Sequence, residues 1–165
     1  MTFAAMRNIW SSRNITTQTK LRLFNSNIKP VLLYGSETWR STKASTKKLQ
    51  IFVNKCLRRI LQMIWSERVS NIELWQRSGQ TSVEEAIRRR KWKWLGHTLR
   101  KPSCSITRQA LTWNPQGRRK RGRPRNTWRS SLEAEIKSIG KSWYQLERDA
   151  EDWRLWRETV DGLCS

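Results

Sequence analysis

Between residues 45 and 64 apolar side chains return every three or four positions: Leu49, Phe52, Val53, Cys56, Leu57, Ile60, Leu61 and Ile64. That period belongs to one face of an α-helix, and Lys47, Lys48, Lys55, Arg58 and Arg59 fill the turns between. Such a rod must lay its stripe on other apolar surface, so it calls for helical neighbours. Upstream, Thr16 or Thr17 can cap a helix carrying Leu21, Phe24 and Ile28, followed by Val31, Leu32 and Leu33. Pro30 should kink that helix or end it near Lys29, because its ring blocks the preceding turn and it lacks an N–H. The Tyr34-Gly35 pair marks the exit, and Trp39 is expected to pack back onto the bundle. Residues 1–12 read as the tail of a helix.

Downstream, Ser70 with Glu73 and Thr81 with Glu84 are capping signatures, and Gly79 is the turn between them. The second of these helices runs to about Leu99, with Val83, Ile87, Trp94 and Leu95 facing inward. From residue 101 the pattern changes: Pro102, Pro115, Gly117, Gly122 and Pro124 interrupt any long element. Residues 109–113 are compatible with a short strand or a turn of helix. Asn126 or Thr127 then opens a helix holding Trp128, Leu132, Glu135, Ile136 and Ile139, stopped by Gly140. Ser142 with Gln145 starts a last helix with Trp143, Leu146, Ala150, Trp153, Trp156 and Val160, and Gly162 is its expected C-cap. The expected fold class is all-α: a helical bundle, an irregular basic connector and a small Trp-rich helical segment. The boundaries read as 1–66, 67–100, 101–126 and 127–165.

Charge is placed as unevenly as apolarity. The 165 residues carry 34 Lys and Arg against 13 Asp and Glu, a net +21. Residues 1–82 hold +11, residues 83–130 hold +13 and residues 131–165 hold −3. Eleven Trp are too many large rings for a disordered basic tail, and a hydrophobic share of 36% allows only a modest core. Such a charge weakens a compact state unless a polyanion neutralises part of it, which makes RNA or DNA the first expected partner and an anionic membrane face the second.

Two segments are candidate nucleic-acid contacts. Residues 117–125 read Gly-Arg-Arg-Lys-Arg-Gly-Arg-Pro-Arg, and their Arg-Gly-Arg-Pro-Arg core looks like an AT-hook. Gly122 permits close backbone approach and Pro124 limits folding back. Arg118, Arg119, Lys120, Arg121, Arg123 and Arg125 can then follow a narrow, electronegative A·T minor groove, or act as a solvated basic linker. The second segment is Arg88, Arg89, Arg90, Lys91, Trp92 and Lys93, with Arg100 and Lys101 beyond it. Arg89, Lys93 and the 96–97 region lie on related turns and could track phosphates. Trp92 and Trp94 stand about 200° apart on an ideal helix, so both cannot enter one narrow core. Trp94 groups with Leu95 as a structural residue. Trp92 is the better candidate for stacking on a base, against the plainer role of packing on a neighbouring segment.

Catalytic constellations are not found in the sequence. There is no phosphate-binding loop ending in Lys-Ser/Thr, and a single His97 with three scattered cysteines builds no nucleophilic triad. The only Asp residues are Asp149, Asp152 and Asp161, and the first two sit in a charge-laced stretch that reads as an exposed face. No catalytic residue, metal site or cofactor is therefore expected. Cys56, Cys104 and Cys164 lie too far apart for a zinc module and are odd in number, and Cys56 reads as a buried small hydrophobe. With no signal-peptide core and no apolar run of about 18 residues, the expectation is an intracellular protein without a membrane partner, nuclear if expressed.

Several blocks together resemble the region after the catalytic palm in reverse transcriptases of non-LTR retrotransposons. They are residues 19–39 (TKLRLFNSNIKPVLLYGSETW), 49–61 (LQIFVNKCLRRIL), 89–97 (RRKWKWLGH), 110–115 (ALTWNP) and Gly122-Arg123-Pro124 ahead of Trp128. Their order and spacing are most similar to endonuclease–reverse transcriptases of the kind abundant in flatworm genomes, and they cover nearly the whole chain. The resemblance implies a helical thumb around residues 16–64 and a role in holding template RNA or target DNA for residues 83–130. It also implies a polymerase body as a partner. The family's endonuclease and palm domains, its Tyr-x-Asp-Asp type motif and the Cys/His knuckle of many relatives are not in this sequence. The expectation is accordingly a non-catalytic, nucleic-acid-binding remnant or truncated reading frame. A module that docks on a polymerase body, or a relic without a role, is the alternative.

Overall fold

The computed structural model describes residues 3–64, 67–113 and 127–164. Every regular element among them is helical and none is a strand, so the chain is all-α there, as the apolar periods require. The chain divides into two compact units: residues up to Ser36 with Ser41–Ile87, and Glu37–Arg40 with Arg88–Ser165.

In the first unit a short 3-10 turn, Ala4–Met6, leads into α1 (Arg7–Ser11). Trp10 is fully buried, stacks on Phe3 at 4.8 Å and donates its indole N–H to the Phe3 carbonyl at 2.8 Å. α2 (Thr17–Leu23) starts where Thr16 accepts the Thr19 N–H at 3.2 Å. Lys20, only 2% exposed, returns its ammonium to the end of α1, donating to the carbonyls of Trp10 (3.0 Å) and Ser12 (2.7 Å). A buried cation is tolerable here because it satisfies carbonyls that a helix end leaves unpaired.

Pro30 does not end the helix at Lys29; of the two expected outcomes, a local distortion of a continuing helix is the one observed. A π-helical turn, Phe24–Ile28, precedes α3 (Lys29–Leu32), and the Lys29 N–H bonds five residues back to Phe24. The wider turn removes the clash that a proline ring has with the carbonyl four residues earlier. Gly35, at φ 67°, then turns the chain. Trp39, expected to pack on the bundle, is 36% exposed, and its segment belongs to the second unit.

α4 spans Lys43–Ile60 rather than residues 45–64. Thr42 is the cap, in a reciprocal box with Ser45, and Gln62 takes a left-handed φ of 52° just past the end. Val53, Cys56, Leu57 and Ile60 are buried, while Phe52 and Ile64 leave the expected stripe for solvent. α5 (Asn71–Ser78) is capped by Ser70 and stopped by Gly79 at φ 59°. α6 (Val83–Leu99) is capped one residue later than expected, by Ser82, whose hydroxyl accepts the Glu85 N–H at 3.1 Å. Gln50 and Asn54 tie three helices together. Asn54 Oδ1 accepts from Gln50 (2.8 Å) and from the Trp75 indole (2.9 Å), and Gln50 Oε1 accepts the Val83 N–H at 2.7 Å.

The second unit takes α6 from Arg88 onward. Residues 109–113 prove mostly helical, inside α7 (Ile106–Thr112). α8 (Trp128–Ser138) follows a Thr127–Ser130 capping box, and Gly140 ends its turn at φ 67°. The expected single last helix is two. α9 (Trp143–Glu151) and α10 (Trp153–Leu163) part at Asp152, whose carboxylate accepts the N–H groups of Arg154 (2.7 Å) and Leu155 (3.3 Å). Gly162 lies inside α10 instead of capping it. Trp92, Leu95, Leu132, Leu146 and Trp156 centre this core. Full burial of each such side chain contributes on the order of 1.5–3 kcal/mol.

Candidate nucleic-acid interface

The basic run on α6 is half seam and half surface. Arg88 Nη1 donates to the Leu163 carbonyl (3.3 Å), satisfying the end of α10. Arg89 Nη1 pairs with Asp161 at 2.6 Å, and Arg90 Nη1 lies 3.8 Å from Glu37. Lys91 is buried and paired with Glu135. Arg100 reaches the Ala150 carbonyl at 2.9 Å, closing α9, and Lys101 reaches Thr107 Oγ1 at 3.3 Å while its own carbonyl takes Arg108. Lys93, His97 and Arg100 remain exposed.

Of the two roles the sequence leaves open for Trp92, packing on a neighbouring segment is the one observed, and base stacking is corrected. Its ring has no exposed surface, it lies 5.8 Å from the ring of Trp156, and its N–H donates to Glu135 Oε2 at 2.7 Å. Glu135 thus receives both the Lys91 ammonium and the Trp92 indole, which holds α6 to α8 at one carboxylate. Trp94 is the half-buried ring, edge-on to Trp128 at 5.9 Å. Gly96 explains the rest of the Trp-Leu-Gly-His run. Trp156 lies directly on the backbone there and donates its N–H to the Trp92 carbonyl at 3.1 Å.

Arg118, Arg119, Lys120, Arg121, Arg123 and Arg125, with the AT-hook-like core, lie outside the described residues. Asp149 is ion-paired with Lys141 at 2.9 Å and Asp152 caps α10, which gives both residues a structural task. Among the described residues no three His, Cys, Asp or Glu side chains gather as metal ligands. No helix among them is long and apolar enough to cross a membrane. Burial pushes the Cys56 thiol up to about 11, against a smaller opposing pull from Arg59.

A different basic face is open, and the sequence reading passed over it. On α4, Lys43, Lys47, Lys48, Lys55 and Arg59 are exposed, with Ile51 (47%) and Phe52 (40%) between them. None of Lys47, Lys48, Lys55 and Arg59 forms an ion pair among the described residues, and the helix contains no Asp or Glu. The available signal was the polar half of the amphipathic pattern. It had been read as filler around the apolar stripe, although its one-signed charge already set it apart.

Comparison with known proteins adds sequence similarities to this geometry. Residues 2–34 match a family model described as a domain of unknown function, DUF6451. An uncharacterized transposon-derived protein of Caenorhabditis elegans is 26% identical over 164 residues, covering 92% of this chain. The chain spans 59% of that relative's length. No solved structure matches. The chain is thus all-helical where described, and it has a distant, partial homology to a transposon-derived protein.

Proposed function

We propose that this chain is a nucleic-acid-binding element of retrotransposon reverse-transcriptase ancestry, which holds RNA or DNA by charge and performs no chemistry itself. One observation carries the reading: residues 1–66 contain 12 Lys and Arg against a single acid, Glu37. A surface so one-signed gains most from a partner whose own charge repeats regularly, and a transposon-derived homologue makes nucleic acid the natural one. Residues 88–101 and the basic segment 118–125 add to the field, the latter with A·T-groove readout if its hook-like core acts as one. The place of action on this reading is the nucleus.

Fluorescence anisotropy against structured RNA, AT-rich duplex and GC-rich duplex, each over a salt series, tests this. Log affinity should fall linearly with log salt, by roughly 0.7–0.9 per phosphate neutralised. Ala at Arg121 and Arg123 should abolish any A·T preference. No binding to any probe near physiological salt refutes the reading. A second reading, docking onto a polymerase body, is favoured by Val31 and Tyr34, which lie close in sequence and are both strongly exposed. It predicts self-association of the free chain that replacing both by Ser removes.

A further inference from the structure

We infer that the solvent face of α4, and not the basic run on α6, is the principal surface on which this chain seats a phosphodiester backbone. This rests on the proposed nucleic-acid binding and adds where the strand lies. Ile51, Phe52, Lys55 and Arg59 lie three, four, seven and eleven residues beyond Lys48, so the five fall within about 100° of arc on the helix. From Lys48 to Arg59 the stripe runs about 16 Å along the axis. A nucleic-acid strand in a duplex carries a phosphate roughly every 3.4 Å, so that length faces about five of them. The exposed cations on the stripe have no carboxylate partner among the described residues, whereas on and just past α6 Arg88, Arg89, Arg90, Lys91 and Arg100 are bonded to Asp161, Glu37, Glu135 and the ends of α9 and α10, which leaves Lys93 as the exposed cation of that run.

The charge pattern also selects among occupants. A second copy would set one all-positive helix face against another. A membrane would need the apolar side of α4, and that side is already buried as Val53, Leu57 and Ile60. Phe52 and Ile51 sit between the cations, where a ring and a branched side chain can meet sugar or an unstacked base.

The test uses the full chain with labelled RNA and DNA strands of about 20 nucleotides, and the DNA duplex, over roughly 50–200 mM salt. The triple variant Lys48→Ala, Lys55→Ala, Arg59→Ala should lower the salt slope by about two to three units and keep its helical circular dichroism, since all three sites are exposed. A triple of equal charge, Lys137→Ala, Arg148→Ala, Arg154→Ala, should change the slope by less than about one. Phe52→Ala should weaken single-strand binding about five- to hundredfold with the slope unchanged. If the α4 triple loses helicity, Lys55→Glu alone should still cut the slope. Wild-type slope and affinity in a folded α4 variant overturn the inference while leaving nucleic-acid binding intact. Equal losses in both triples, or tighter binding to anionic vesicles than to any strand, overturn it as well. A wild type that binds no strand refutes both this and the function it rests on.

Discussion

Replacing Gly96 by Ala sets two physical effects directly against each other. In a helix interior the change should stabilise by about 0.8–1.0 kcal/mol, because glycine loses more backbone freedom on folding. At Gly96 the new methyl group would enter the indole of Trp156, 2.7 Å from Cδ1 and closer still to Nε1 and Cε2. The indole is almost wholly buried and cannot swing away without giving up its bond to the Trp92 carbonyl. Overpacking of this kind costs about 1–3 kcal/mol. A lost buried hydrogen bond adds about 0.5–1.5 kcal/mol. After the propensity gain, the net loss is about 0.5–3.7 kcal/mol. For a unit of this size that lowers the melting temperature by several degrees, at about 4–8 °C per kcal/mol. Gly162 is the control, since it is also helical and a Cβ there meets nothing within 4 Å. Gly162→Ala should therefore raise stability by up to about 1 kcal/mol. Urea unfolding followed by Trp fluorescence measures both. Stabilisation by Gly96→Ala, or equal signs at the two sites, would refute the close contact of Trp156 with α6.

Three further changes probe the two cores. Glu135→Ala should cost about 2–4 kcal/mol in the same urea assay, because it strands the buried Lys91 ammonium and the Trp92 N–H together; adding Lys91→Met should restore part of the loss. Thr98→Val should stabilise by about 0.5–1.5 kcal/mol, because the Thr98 hydroxyl is buried without a hydrogen-bond partner among the described residues; a loss would mean that the hydroxyl is satisfied. Cys56 carries a folded-state value near 11, above the ordinary thiol value of 9.0, so the folded state holds its proton more tightly. Its contribution should be complete below pH 9 and fade as pH rises toward 11. Cys56→Ala should flatten that part of the stability curve, and in the native wild type a thiol reagent should label exposed Cys104 well before Cys56.

Helix starts were the most legible feature, since a cap is a local event. Ser70 and Ser142 accept the N–H groups of Glu73 and Gln145 as their spacing predicts, and Thr16 and Thr127 prove to be the caps over the alternatives Thr17 and Asn126. The breaks that went unread turn on a choice the local sequence leaves open. Asp152 can be a surface charge within one long helix or the cap of a new one, and only the second rotates Trp153 out of the apolar stripe into solvent. Pro30 leaves a kink and a stop both open, because the π-helical turn that accommodates it has no sequence signature. Trp92 shows the same limit at the candidate site. Four cations and a ring in a row look identical on a phosphate face and on a seam. The carboxylates that decide between them, Glu135 and Asp161, stand 44 and 72 residues beyond their partners Lys91 and Arg89.

The placement of acids decides where a polyanion can still gain. In the first unit 13 Lys and Arg face four acids, all of them at or beyond Glu67. In the described part of the second unit 15 face nine, and those nine include the partners of Arg89, Arg90, Lys91, Arg129 and Lys141. The exposed ones among these pairs, such as Arg89 with Asp161 and Arg129 with Glu133, contribute little to stability, about 0–1 kcal/mol each, but every pair removes charge from the field that a strand would meet. A phosphate approaching Arg89 must displace Asp161, whereas one approaching Lys55 displaces only water and small anions. Equal numbers of cations therefore do not make equal surfaces. The helix that buries its apolar stripe and keeps its basic back free of carboxylates is the better seat for a nucleic-acid strand.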